Sequence, residues 1–358
     1  MPKLDTLFKS MAQKEASDLF VSAGAPPILK IDGAMIPADG AKPLSNEICE
    51  KLLFELLNDE QRESFQQKGD LDFAYEIPEV ARFRGNIFRQ RRGISGVFRF
   101  IPAEVKALEE LNMPEAVGKL ARTNRGLILV TGATGSGKST TLAAMIDVRN
   151  RECAEHILTL EDPLEFVHDN KKSIVHQRQI GEHSNSFATS LRAALREAPD
   201  VILVGEMRDL ETISLAITAA ETGHLVYGTL HTSSAPKTVD RIIDAFPEEQ
   251  QNQIRTMIAD TLQGVISQLL LKRSDAKGRV AALEIMINNS AIANLIREGK
   301  TFQIHSAIQT GKREGMMTLD QHLMQLMMTK KIYAEEAFRN AHNKNMFLKY
   351  VMPQKDQG

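Results

Sequence analysis

The sequence predicts an α/β protein of two domains: a small antiparallel α+β domain, then a mostly parallel sheet flanked by helices, with a helical appendage at the C-terminus. Three observations predict it. The first is length: 358 residues exceed what one typical core organises. The second is a stretch of short β-rich runs within residues 1–101, separated by turn residues. The third is the alternation, from Leu127 onward, of short apolar runs with helical segments, the pattern of βαβ units. The expected boundaries are 1–101, a connector at 102–110, a core over 111–289 and a helical region over 290–358.

Composition narrows the class. Charged residues make up 25% and apolar residues 42%, ordinary for a globular chain. The net charge of −2 argues against a protein whose main partner is a nucleic-acid backbone. A nucleic-acid motor would also want stacking aromatics, whereas Trp is absent and aromatics are only 5%. The two cysteines, Cys49 and Cys153, suggest no disulfide framework and fit a reducing compartment. No metal-site spacing occurs among the histidines and cysteines. No apolar run is long enough to span a bilayer, and the first residues lack the apolar region of a secretory signal, so a cytoplasmic location is expected.

Taken in order, Leu4, Leu7, Phe8 and Met11 share one face of an N-terminal helix, expected to pack on the protein's own core. Strands are predicted at Ser17–Ser22, Ile28–Ile31 and near Met35, with Asp32-Gly33 as a hairpin turn. Ser45 opens a helix expected to run to about Gln67 and stop at Gly69. Strands follow at Leu71–Ile77, Ala81–Arg89 and Gly96–Ile101. The last two carry Arg82, Arg84, Arg89, Arg91, Arg92 and Arg99, with Arg82 and Arg84 on one face by alternation. Edge-strand arginines are commonly solvated charges that block aggregation.

Pro102–Lys106 reads as the connector, and Leu108–Ala121 has helical periodicity. Then comes the most specific motif in the chain. Gly132-Ala133-Thr134-Gly135-Ser136-Gly137-Lys138-Ser139, followed by Thr140, lies between the run Leu127–Val130 and a helical segment. This is a complete phosphate-binding loop in its strand–loop–helix setting. Its glycines let backbone N–H groups point inward at a helix start; Lys138 would reach the β- and γ-phosphates, and Ser139 would ligate Mg²⁺. A nucleoside triphosphate with Mg²⁺ is therefore the expected ligand, and an enzyme acting on it also needs cations at the γ-phosphate, sometimes from a neighbouring subunit, a use the strand arginines could fill.

The apolar runs that follow each lead into polar residues. Ile157–Leu160 leads into Glu161-Asp162-Pro163-Leu164-Glu165, Val201–Val204 into Gly205-Glu206, and Leu225–Leu230 into His231-Thr232. Ligands of open α/β sheets sit beyond the carboxyl ends of strands, so these groups are expected to converge. Glu206 fits the carboxylate that partners Mg²⁺ and water near a phosphate loop. Among Glu161, Asp162 and Glu165, one is expected to orient or deprotonate the attacking water. His224 and His231 flank a strand, and either can sense the γ-phosphate by hydrogen bonding. Asp209 is placed to cap a helix over Leu210–Thr222 that ends at Gly223. Arg192 and Arg196 fall on one helical face at i, i+4.

Val280–Ile287 reads as the last strand, followed by helices at Ala291–Arg297, Phe302–Gln309 and, from a capping box at Thr318, through Met328. The methionines 316, 317, 324, 327 and 328 suit core filling. Asn343–Gly358 is expected to be a loosely held tail.

Taken together, several segments resemble the PilT family of type IV pilus retraction ATPases, within the wider group of secretion-system motors. They are Ala16–Leu19 with Gly24–Pro27, Arg82–Arg84, Gly132–Thr140, Glu161–Glu165, Val204–Ile213, Thr222–Leu225 through Leu230–Thr232, and Ala291–Glu298. The resemblance covers nearly the whole chain. It implies a PAS-like N-terminal domain, a RecA-like core and a homohexameric ring that, with ATP and Mg²⁺ bound between subunits, powers pilus retraction and twitching motility. It implies roles too: Glu165 as catalytic glutamate, Glu206 as Walker B glutamate, His224 and His231 as a histidine box, and Arg84 and Arg99 as arginines reaching the nucleotide from the N-terminal domain. The implied partners are further copies of the chain, an inner-membrane pilus platform protein and a paralogous retraction ATPase. That implies a site of action at the inner-membrane pilus machinery. Two positions depart from the family pattern, Ala133 for Pro and Ala293 for Arg. Residues 19–27 are also similar to the accessory PilU group. Extension ATPases, the other motor class, usually carry a longer N-terminal region and a cysteine zinc site, neither of which is seen here.

Overall fold

Polar and apolar residues alternate along Ala81–Gln90, so one face of this strand is apolar and the other carries Arg82 and Arg84. In the computed structural model, which describes residues 2–31, 33–78, 80–101 and 105–351, that alternation builds the first of two units, Met1–Glu104 and Val105–Gly358. Asp32 of the expected turn, residues 102–104 of the expected connector and the tail beyond 351 lie outside the described residues.

The first unit runs α1 (Asp5–Gln13), β1 (Asp18–Ser22), β2 (Ile28–Ile31), β3 (Ala34–Pro37), α2 (Asn46–Phe54), α3 (Asp59–Lys68), β4 (Asp70–Ile77), β5 (Ala81–Gln90) and β6 (Gly93–Ile101). Its strands form one sheet in the order β3-β2-β1-β6-β5-β4, each neighbouring pair antiparallel. Leu4, Phe8 and Met11 are fully buried, and the Phe8 ring lies 4.5 Å from Phe83 and 5.0 Å from Phe98. The apolar face of α1 is thus spent on its own sheet; burying each such side chain stabilises the unit by about 1.5–3 kcal/mol. The single helix expected from Ser45 to Gln67 is two helices. Asn58 accepts the Gln61 N–H at 2.8 Å while Gln61 Oε1 accepts the Asn58 N–H at 3.1 Å, a capping box that starts α3 afresh. Leu56 and Leu57, freed from the helix, are buried in the core.

The second unit contains α4 (Glu115–Ala121), β7 (Gly126–Thr131), α5 (Lys138–Glu152), β8 (His156–Glu161), β9 (Ile174–Gln179), α6 (Phe187–Ala194), β10 (Val201–Val204), α7 (Leu210–Glu221), β11 (Leu225–Leu230), α8 (Ala235–Ile243), α9 (Glu248–Thr261), β12 (Leu262–Lys272) and β13 (Arg279–Ile287). Helices α10 (Ser290–Arg297), α11 (Ile304–Thr310), α12 (Leu319–Met328), α13 (Ala334–Asn340) and α14 (Leu348–Val351) complete it. The helix expected over Leu108–Ala121 forms only from Glu115, because Pro114 precedes it and restricts Met113 to extended backbone.

The sheet order is β13-β12-β7-β11-β10-β8-β9, parallel throughout except for the antiparallel β12–β13 pair. The fold is therefore α/β with mixed sheets. Along β7, Leu127 and Leu129 face a core shared with α6 to α11, whereas Ile128 and Val130 face one shared with α4 and α5. A strand buried on both faces reads as a continuous apolar run, which is why β7, β10 and β11 are legible in the sequence. Helices α12 and α13 with Phe347 pack on Leu271 of β12 and Ala282 of β13 as a separate cluster. Met316 is buried, Met324 and Met327 fill the edge of that cluster, and Met328 is exposed. No helix among the described residues is long and apolar enough to cross a membrane.

Candidate active site

Parallel strands β7, β8, β10 and β11 lie side by side in register, so their carboxyl ends deliver Thr131, Glu161, Val204 and Leu230 to one edge of the sheet. The phosphate loop begins there. Gly132 has φ 144°, and a Cβ on it would stand 2.3 Å from the Gln268 carbonyl oxygen and 2.5 Å from Ser136 Oγ. No side chain fits in that space. Gly135 and Gly137 also have left-handed φ, and Gly137 leads directly into α5.

Lys138 Nζ folds over the loop and donates to the carbonyls of Gly132 at 2.9 Å and Ala133 at 3.1 Å. Burial lowers the pKa of this ammonium, against the opposing pull of Glu206 and Glu165 nearby. Ser136 Oγ is buried without a hydrogen-bond partner. An orphaned hydroxyl, a partly desolvated ammonium and a glycine cradle together fit a phosphate chain.

Behind the loop, Ser139 lines a small cavity with Glu161, Phe166, His168, Gly205 and Thr229. Glu161 closes β8. Its Oε1 accepts from Thr159 Oγ1 at 2.7 Å and from Gln177 Nε2 at 3.3 Å, yet burial pushes its pKa up to about 7. The chain then passes a cis Asp162-Pro163 bond to Leu164, which is buried and donates its N–H to Gln179 Oε1 at 3.2 Å. Leu164 anchors the segment, and Glu165 hangs exposed from it, its own N–H 3.5 Å from Glu161 Oε2. Asp162 is likewise exposed.

Glu206 follows β10 by two residues. Its Oε1 meets His231 Nε2 at 2.8 Å and accepts from Arg208 Nε. Burial tends to raise its pKa, but the bonds from Arg208 and His231 outweigh that and hold the carboxylate below its ordinary range. Hard oxygen donors, the Ser139 hydroxyl and these carboxylates, suit Mg²⁺. Among the described residues no cluster of three metal-ligating side chains exists, so such an ion would take most of its ligands from the nucleotide and water.

Not every expected residue joins. His224 precedes β11 and His231 follows it, so His224 sits at the opposite, amino end of the sheet, its Nδ1 3.0 Å from Ala219 O and 3.2 Å from Thr222 Oγ1. The parallel direction of the strands keeps it away from the loop within this chain. Arg192 and Arg196 do not share a helical face: α6 ends at Ala194, Arg196 lies past it, and Arg192 is paired with Glu211 of α7. In the first unit, Arg84 and Arg99 are direct cross-strand partners and so share one face, near Asp72 at 3.9 Å and Asp18 at 3.0 Å respectively. Arg208, Gln177 and Gln179 escaped the sequence reading. Arg208 had the adjacent Glu206 as a signal; the two glutamines lie on a polar edge strand that carries none.

A family model described as "Type II/IV secretion system protein" matches residues 2–350. The chain is 53% identical to the type IV pilus retraction ATPase PilT of Pseudomonas aeruginosa, covering 92% of this chain and 95% of that one. It is 52% identical to a twitching motility protein of Neisseria gonorrhoeae, over 88% of this chain and 84% of that protein. A crystal structure of the pilus retraction motor PilT with bound ADP superposes with a TM-score of 0.91 at 44% identity, covering 97% and 98% of the two chains. The chain therefore belongs to the type II/IV secretion system protein family, in its PilT group of pilus retraction ATPases.

Proposed function

We propose that this chain hydrolyses ATP to drive pilus retraction, with Glu165 activating water at the phosphate loop, Glu206 as the partner of Mg²⁺ and water, and His231 sensing the γ-phosphate. One observation carries the reading: a complete phosphate loop shares one sheet edge with the Glu206–His231 pair and with the anchored acidic segment ending in Glu165. The inward N–H groups of Gly132–Thr140 hold the phosphates, and Lys138 exchanges its two carbonyl partners for phosphate oxygens. Ser139 and Glu206 would hold Mg²⁺ through the nucleotide. A bound Mg²⁺ supplies charge neutralisation at the β- and γ-phosphate oxygens. Glu165 takes a proton as the water oxygen bonds to the γ-phosphorus and the bond to the bridging oxygen of ADP breaks. Asp162 and Glu161 shape the acidic segment around it.

The finer picture follows the family. The first unit is PAS-like and the second RecA-like, and the chain works as a homohexamer. Arg84 and Arg99, facing the same way, reach the nucleotide of a neighbouring copy. The motor acts from the cytoplasm on a platform protein at the inner membrane. The catalytic part is tested on purified protein: Lys138→Ala and Glu165→Gln should each lower ATP turnover by about 10²–10⁴-fold, the range of a lost phosphate cation or general base. Turnover left intact in either variant contradicts the assignment.

A further inference from the structure

We infer that Gln268 of β12 is a positioning residue that sets the shape of the phosphate loop and thereby its affinity for nucleotide. The inference rests on the nucleotide-site reading above. β7 and β12 run parallel and pair as far as Thr131 and Ser267, whose hydroxyls meet at 2.8 Å. β7 then turns away as the loop, while β12 continues to Lys272. Gln268 is the first β12 residue past that divergence, and its side chain is buried.

Both ends of its amide are used. Nε2 donates to the Ser136 carbonyl at 2.7 Å, and Oε1 accepts from Thr141 Oγ1 at 2.9 Å. One side chain thus ties the crest of the loop to the first turn of α5. A backbone carbonyl offers only an acceptor and the Thr141 hydroxyl is used here as a donor, so the bridge needs a group with both functions at this length. Glutamine has them; glutamate, leucine and methionine do not.

The consequence follows from peptide geometry. Across the planar trans peptide, the Ser136 C=O and the Gly137 N–H point in opposite directions. Holding the carbonyl toward β12 turns the Gly137 N–H away from β12. A phosphate loop binds through such N–H groups, so Gln268 fixes one of them before nucleotide arrives. The Gln268 main chain adds a wall, because its carbonyl oxygen occupies the space a Gly132 Cβ would need. Ordering the loop in advance removes a cost that binding otherwise meets.

The test measures ADP binding and ATP turnover for Gln268→Glu, Gln268→Ala and Thr141→Val in the full chain, with melting temperatures and amide hydrogen exchange in parallel. Gln268→Glu keeps the shape and the Thr141 acceptor but loses the donor to Ser136. The expected result is an ADP Kd and an ATP KM raised about tenfold in both Gln268 variants, as for loss of a buried hydrogen bond. Thr141→Val should give a smaller rise in the same direction. kcat at saturating ATP should stay within about twofold, and exchange should quicken at 132–140 alone. Nucleotide affinity unchanged in both Gln268 variants, or a rise matched by a fall in melting temperature with exchange spread through β12, overturns the inference. Should Gln268→Ala fail to fold, Gln268→Glu and Thr141→Val decide the matter. Wild-type protein that bound no ADP would instead count against the nucleotide site itself.

Discussion

Glu161 and Glu165 stand four residues apart in one acidic segment, yet they meet opposite surroundings. Glu165 is exposed, whereas Glu161 is enclosed beside Thr159 and Gln177 with its pKa raised to about 7 by burial. The folded chain therefore holds a proton on Glu161 that the unfolded chain, with an ordinary carboxyl near 4.5, has released. The stability that Glu161 contributes is therefore complete below about pH 4.5 and is lost as pH rises through about 7. Glu161→Gln removes this titration, so its stability loss between pH 5 and pH 8 should be smaller than that of wild type by about 2 kcal/mol. Melting temperatures at the two pH values check it; parallel profiles for the two proteins refute a buried titrating Glu161. At this scale much of the site was legible. Gly132–Ser139 and Glu206 are recognisable because the chemistry demands those residue types beside an apolar strand. The sequence leaves three carboxylates open as the water's partner. Their burial separates Glu161 from Asp162 and Glu165, and burial depends on Gln177, Leu164 and Gln179, which no local pattern ties to them.

Elements were legible where their ends carry chemistry. Ser45, Asp209 and Thr318 each accept an N–H three residues on, and all three helices start where the capping signal puts them. Strands β9 and β12 were not legible. β9 is a polar edge strand, Ile-Val-His-Gln-Arg-Gln, and β12 follows α9 with no turn residue between Thr261 and Leu262. That second omission mattered most, since β12 supports the phosphate loop on one side and the C-terminal helices on the other. His322 of α12 ties those helices to β13 as well: its Nδ1 accepts the Leu283 N–H at 2.9 Å, and burial pushes its pKa down to about 4. The imidazole is neutral in the folded chain, while an unfolded histidine takes up a proton near 6.5. The stability it contributes is complete above about pH 6.5 and is lost as pH falls toward 4. His322→Gln keeps an acceptor for Leu283 without the titration. Wild type should lose about 2–3 kcal/mol more than the variant between pH 7 and pH 4. Calorimetric melting across that range measures this, and equal acid sensitivity contradicts the junction as described.

For the whole molecule, the division into two units and the mixed α/β sheet follow from patterns readable in the chain, a strand-and-turn stretch and then strand–helix alternation. Hydrophobic periodicity, however, carries no information about assembly. Arg84 and Arg99 show why: the cross-strand register puts them on one face, but what that face meets in an assembly is a property of neighbouring copies. The family supplies the context, with relatives that share about half of this sequence over nearly its full length. On the proposed function, the phosphate loop, the Glu206–His231 pair and the Glu165 segment form the engine of this retraction motor. Counting surface pili after deletion of the gene for this chain tests that claim most directly. Retraction driven by this protein predicts more pili per cell together with lost twitching motility, whereas cells left bald of pili would contradict it.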